Sequence, residues 1–116
     1  AALGCDVGAI ASSLLFMADG TPLLVLTSGS HRVDLARLPG SEVRMATPAE
    51  VRTHTGFAIG GVAPVGHPAA LQTLVDEALK DHKVLWAAAG HSHAVFATSY
   101  DELVTLTGGT PAVVGD

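Results

Sequence analysis

The sequence predicts an α/β fold of the α+β kind, a sheet of buried strands covered by short helices, and three observations carry that expectation. Hydrophobic residues make up 48% of the 116-residue chain but aromatic residues only 4%. The interior must therefore be built from Val, Leu, Ile and Ala, a composition that favours buried β-structure. Two apolar runs flank Asp19-Gly20, a strong short-range signal for a hairpin. Two capping boxes, Thr47 to Glu50 and Ser99 to Glu102, mark the starts of helices.

The first apolar run, Ser13 to Ala18, and the second, Thr21 to Thr27, read as paired strands. The Thr21-Pro22 after the turn suggests a loop slightly longer than two residues. His31 to Leu38 suits a short helix started by Ser30 and closed near Pro39-Gly40. Glu42 to Ala46 fits a short strand, and Pro48 to about Thr53 a helix with Pro at its first position. Ile59 to Pro68 holds three Gly and two Pro in ten residues, which excludes a helix or a central strand and predicts a shaped loop. Ala69 to Val75 is an apolar element of open type, and Asp76 to Lys80 a helical turn. Val84 to Ala89 reads as a buried strand broken by Gly90, with Ala94 to Ala97 as its partner. A last helix covers Tyr100 to Leu106 until Gly108-Gly109 stop it.

Residues 1–116 are expected to form one domain, since a chain of this length buries one core. No run approaches the roughly 18–20 apolar residues of a membrane-spanning helix, so no membrane partner is expected. Ala1 to Ile10 has neither a basic n-region nor an apolar h-region with a cleavage site. A single Cys5 makes no internal disulfide, which fits a reducing compartment, and the expected location is the cytoplasm. Six Lys and Arg against eleven Asp and Glu give a formal charge of −5, which argues against a protein that grips long stretches of nucleic acid. A small footprint on an RNA end stays open. Four of the six basic residues (Arg32, Arg37, Arg44 and Arg52) lie between positions 32 and 52, so an anionic ligand would meet that side, unless these are ordinary solvated charges.

The sequence carries no Walker loop, no paired-Cys zinc pattern, no G-x-S-x-G and no H-E-x-x-H. His91 and His93 project to one face of an extended chain and, with His67, compose a possible three-imidazole site. Against this, one of them caps the Gly90 turn and the others are partly exposed, and no metal or other cofactor is expected. Cys5 has no basic neighbour to lower its pKa and reads as a buried or incidental thiol. Ser12 and Ser13 adjoin the first strand, where a hydroxyl faces a pocket or merely satisfies backbone. The segment from Gly60 to Gly66 differs in kind. Its consecutive glycines let the backbone approach a ligand and present N–H groups, while Pro64 stiffens the far side. Such a loop cradles a carbonyl oxygen or a phosphate by main-chain donors alone.

Ile10-Ala11-Ser12-Ser13-Leu14-Leu15-Phe16, His31-Arg32-Val33-Asp34-Leu35, Arg44 to Val51, Thr55-Gly56-Phe57, Gly60 to Pro68 and Trp86 to Gly90, taken together, resemble the YbaK/EbsC family. This superfamily also supplies the editing domain inserted in bacterial prolyl-tRNA synthetases. The family has helical residues ahead of Leu3-Gly4, so the chain resembles a member trimmed at its N-terminus. The resemblance implies a mixed, strongly curved sheet flanked by helices, with a pocket between the glycine-proline loop and the first strand. It implies deacylation of aminoacyl-tRNA, the second, size-selective step needed because one methylene is worth only about 1–3 kcal/mol of discrimination. The implied catalytic residues are Gly60, Gly61 and Ser12, and the implied substrate-binding residues are Val62, Ala63, Pro64, His67, Gly90, His91 and Arg32. The implied partner is the acceptor end of mischarged tRNA, with a synthetase or a second copy of the chain as further partners. Where the family usually has the lysine of an I-x-K-S-L pattern, needed for activity in relatives, this chain has Ser12. The expected function is therefore a trans-editing deacylase. The alternative is a binding module for aminoacyl-tRNA that has lost turnover.

Overall fold

The structure, a computed structural model, describes residues 7–58, 61–68, 71–91 and 94–115. A 3-10 turn at Val7–Ala9 leads into β1 (Ile10–Ala18) and β2 (Thr21–Ser28), followed by β3 (Val43–Met45), α1 (Pro48–Thr55), β4 (Gln72–Asp76), β5 (Leu85–His91), β6 (Ala94–Thr98), α2 (Tyr100–Thr107) and β7 (Thr110–Ala112). The strands form one mixed sheet in the order β6-β5-β1-β2-β4-β7, with β3 also pairing β1. Among the described residues, no helix is long and apolar enough to cross a membrane.

The β1–β2 turn is tighter than Thr21-Pro22 suggested. Ala18 already faces Thr21, and Asp19 (φ 51°) and Gly20 (φ 81°) supply the two positive φ angles of a type I′ turn. Pro22 is tolerated because the residues bonded to β1 alternate along β2, which turns the Pro22 nitrogen toward β4, and β4 pairs only from Leu23 onward. Asp19 also accepts from the backbone N–H of Ser41 and Glu42, and these bonds hold its carboxyl below the usual range. They deliver β3 to the far end of β1.

Both faces of the sheet are covered, which is why the middle of β2, Leu23 to Leu26, is apolar on both sides. Leu15, Leu24, Leu26 and Val75 pack on one face with Val51 of α1, Leu79 and Leu103 of α2. Phe16, Leu23, Val25 and Leu74 pack on the other with Leu38 and Val114. At the end of β4 the buried Asp76 accepts from Ser28 N–H and Ala78 N–H, joining β2 to a 3-10 turn at Glu77–Asp81.

Three local expectations fail for tertiary reasons. The segment from His31 to Leu38 is helical only at Leu35–Arg37, capped by Asp34, because Val33 is drawn into an extended bridge with Gly115 and Asp34 N–H donates to Val114 O. Ser30 instead pairs its hydroxyl with that of Ser28. Gly90 does not end its strand but sits inside β5 at a bulge, with φ 95°. The strand β7, which contains Pro111, was not expected, and it pairs with β4.

Leu24 is fully buried between the sheet and its helices. Leu24→Ala should lower unfolding free energy by about 2–5 kcal/mol, whereas Val95→Ala at an exposed position should change it little, as measured by denaturant unfolding.

Candidate functional site

The site begins with a break in a strand ladder. One edge of β1 pairs with β2 from Ala11 to Ala18. The other edge is divided: β5 takes Ile10 and Ala11, β3 takes Phe16 to Ala18, and between them the stretch from Ser12 to Leu15 has no partner strand among the described residues. Among the described residues only Ala46 N–H reaches into it, donating to Leu15 O at 3.0 Å. Ile10 O accepts from Gly29 on the β2 side, so alternation points the peptide groups of Ser13, like those of Leu15, toward the open edge.

A cavity of about 260 Å³ lies there, lined by Ile10 to Leu15, by Met45 and Ala46 at the end of β3, by Val51 of α1, by Val62 of the glycine-proline loop, and by Trp86, Ala88 and Val95. Among the described residues its walls are apolar apart from the Trp86 indole and the hydroxyls of Ser12 and Ser13, and no lining side chain is charged. Ser13 Oγ is buried without a hydrogen-bond partner among the described residues. A hydroxyl left in that condition costs about 1–3 kcal/mol.

The loop that brings Val62 to this cavity is fixed at both ends. Thr47 and Glu50 cap α1 reciprocally, and Gly56 closes the helix in the left-handed conformation at φ 79°. The fully buried Thr55 donates through Oγ1 to Val51 O and accepts from Phe57 N–H. Phe57 then becomes a hub. Its ring meets the edge of His67 at 6.1 Å and 81°, and it lies against Gly66 and Gly90, where a Cβ on Gly90 would come within 3.0 Å of Phe57 Cε1. His67 Nε2–H donates to Ala63 O at 2.9 Å, drawing the loop onto itself. Gly61, Val62, Ala63 and Pro64 are buried, and Gly61 N–H donates to Ala58 O at 3.0 Å.

Of the residues singled out from sequence, Ser12 and Val62 therefore meet at the cavity, with Gly61, Ala63 and Pro64 in the same buried loop. His67 and Gly90 meet at Phe57, not at Ser12. Pro64 and His67 line a second, more open cleft of about 240 Å³ with Leu71, Thr73, Leu106 and Thr107. Arg32 is exposed in a surface hollow with Val33, Asp34 and Leu35 and lines neither. Gly60, His93 and Cys5 lie outside the described residues, as does the side chain of His91. Among the described residues, no group of three His, Cys, Asp or Glu is placed to hold a metal ion. Sequence reasoning passed over Phe57, although Thr55-Gly56-Phe57 stood among the recognised motifs. It left Ser13 undecided, and only the pairing register reveals its position.

The wall contributed by β3 and α1 is clamped from outside. Arg44 donates from both terminal nitrogens to Glu50, at 2.7 and 2.9 Å. These bonds and the Thr47 N–H lower the Glu50 pKa from 4.5 to about 2.

Comparison with known proteins gives one consistent picture. A family model described as an aminoacyl-tRNA editing domain matches residues 1–106. The chain is 30% identical over 105 residues to YwhH of Bacillus subtilis, covering 87% of this chain and 67% of that protein. It is 34% identical over 82 residues to a proline–tRNA ligase of Nitratidesulfovibrio vulgaris, 67% of this chain but only 14% of the ligase. A crystal structure proposed to be a trans-editing enzyme for prolyl tRNA synthetase superposes with a TM-score of 0.94 at 44% identity, covering 99% of this chain and 75% of that one.

The lowered Glu50 pKa fixes the sign of a pH effect. A carboxyl whose pKa falls on folding contributes stability in full above its ordinary 4.5 and loses it as the pH drops through about 2. Glu50→Gln should therefore melt below the wild type at pH 7, by a margin that closes between pH 4.5 and 2. Thermal melts across that range check it, and a constant margin would exclude the clamp.

Proposed function

Because the chain belongs to the aminoacyl-tRNA editing domain family, we propose that it is a trans-editing deacylase that hydrolyses the ester of a mischarged tRNA carrying a small amino acid. The observation that carries this reading is the cavity between the Ser12 strand and the Val62 loop. At about 260 Å³ it falls below the roughly 300–1,000 Å³ typical of sites for drug-sized ligands. It accommodates an aminoacyl group but leaves the terminal nucleotide outside. Its apolar lining suits a small side chain, and its fixed walls suit rejection by size.

In this reading a water oxygen attacks the ester carbonyl carbon. The bond from that carbon to the ribose oxygen breaks, the ribose hydroxyl recovers a proton, and the free amino acid leaves. The ester is already activated, so an oriented water, or the neighbouring ribose hydroxyl acting on it, suffices without a strong protein base. Ser12 orients the attacking group. The Gly60 amide polarises the ester carbonyl, and Gly61, whose N–H is engaged by Ala58 O, lets the chain pass close to the substrate. Val62, Ala63 and Pro64 form the wall, His67 and Gly90 hold it through Phe57, His91 contributes to substrate binding, and Arg32 meets phosphate of the acceptor end. Residues 1–116 act as one editing domain in the cytoplasm, with a synthetase or a second copy as a further partner.

A second reading, a binding module without turnover, draws on the uncharged cavity lining and on Ser12 standing where the family lysine is expected. Assay against tRNAs charged with Ala, Ser, Thr, Cys and 2-aminobutyrate separates the two. The deacylase reading expects release from at least one of them, and Val62→Phe, which fills the cavity, should lower kcat/KM at least about tenfold while the fold persists by circular dichroism. Retained binding with no release across the panel would favour the module. Ser12→Lys should raise the rate in either case, because an ammonium steadies negative charge that a hydroxyl does not.

A further inference from the structure

Ser13 stands in the middle of the interrupted stretch of β1. Its peptide N–H and C=O face the open edge, β5 stops pairing at Ala11, and β3 starts only at Phe16. Its hydroxyl is buried and has no partner among the described residues. A donor, an acceptor and a hydroxyl of one residue thus gather beside a cavity whose walls are otherwise mostly apolar. Buried polar groups of native proteins are nearly always paired, so among the described residues this arrangement is complete only when something polar enters. An amino acid is the complement: an α-amino group to donate, a carbonyl to accept, and a side chain that in some cases carries a hydroxyl or thiol.

Building on the deacylase reading, we infer that Ser13 binds and positions the aminoacyl group. Its peptide groups hold the α-amino and carbonyl ends. Its hydroxyl, which has no partner among the described residues, turns about χ1 to meet the side chain. Aminoacyl groups bearing a hydroxyl or thiol are then preferred over apolar ones of similar size, because an apolar side chain leaves the Ser13 hydroxyl as unpaired as before.

The test uses the full chain, labelled with 15N, and non-hydrolysable adenosine analogues carrying serine or alanine through an amide link. The Ser13 amide resonance should shift on binding, and the seryl analogue should bind about tenfold more tightly than the alanyl one. That ratio should fall to about one in Ser13→Ala and return in Ser13→Thr, which a merely structural role would not produce. If Ser13→Ala fails to fold by circular dichroism, Ser13→Gly and the wild-type amide shift decide. An unchanged ratio, a silent Ser13 amide, or binding of neither analogue overturns the assignment. If the wild type binds in this ratio but releases no amino acid from any charged tRNA, the deacylase reading fails and the assignment stands. If it hydrolyses with a preference that Ser13→Ala leaves intact, the assignment fails and the reading stands.

Discussion

The structure depends on one constraint, that a single edge of β1 is shared by two strands whose pairing leaves its middle open. A parallel partner, β5, and an antiparallel partner, β3, approach from opposite ends and leave Ser12 to Leu15 between them. Their ladders have different hydrogen-bond spacing and opposite direction, so they do not merge into one continuous edge. A cavity is the geometric result. Each strand is stopped by its own device. The Asp19 carboxylate fixes the chain at Ser41 and Glu42 so that β3 meets only the end of β1, while the register of β5 with β1 ends at Ala87.

A gap in a sheet would normally be filled by collapse of apolar side chains, and here the surrounding elements hold it open. On one side, α1 is locked to β3 by its capping box and by the paired bonds of Arg44 to Glu50, so that Ala46 and Val51 stand at fixed separation. On the other, Phe57 joins the glycine-proline loop to the bulge of β5 by packing against His67 and Gly90. A side chain at Gly90 would press on the Phe57 ring, so this glycine answers both to its positive φ and to the close approach. Packing of this kind preorganises a site at the expense of local freedom.

What the sequence made legible follows from the range of each signal. The hairpin, both helix starts and the irregular loop are written in neighbouring residues: Asp19-Gly20, Thr47 with Glu50, Ser99 with Glu102, and the glycines and prolines from 60 to 68. The failures are long-range. Ser30 had the chemistry of a helix cap, but Val33 was claimed by Gly115 from the opposite end of the chain. No local signal marks Thr110 to Ala112 as a strand, yet an edge position beside β4 accepts Pro111. In the site, the family pattern named Ser12 and Val62, and both line the cavity. The significance of Ser13 depends on where two partner strands stop, and local sequence carries no record of that register.

The distribution of charge bears on where discrimination resides. Among the basic residues between 32 and 52, Arg44 is bound by Glu50 and Arg37 lies 3.5 Å from Asp34, while the chain as a whole carries a formal charge of −5. Few cations remain to neutralise phosphates, and affinity for RNA built on counterion release grows with their number. On the proposed reading, then, the nucleic acid is held weakly and over a short span. Selection falls to the small apolar cavity, where contacts within the uncharged walls distinguish one aminoacyl group from another. Weak, fast-released binding of the RNA also suits a protein that must sample many charged tRNAs, because tight binding shared equally by correct and incorrect substrates adds nothing to the difference between them.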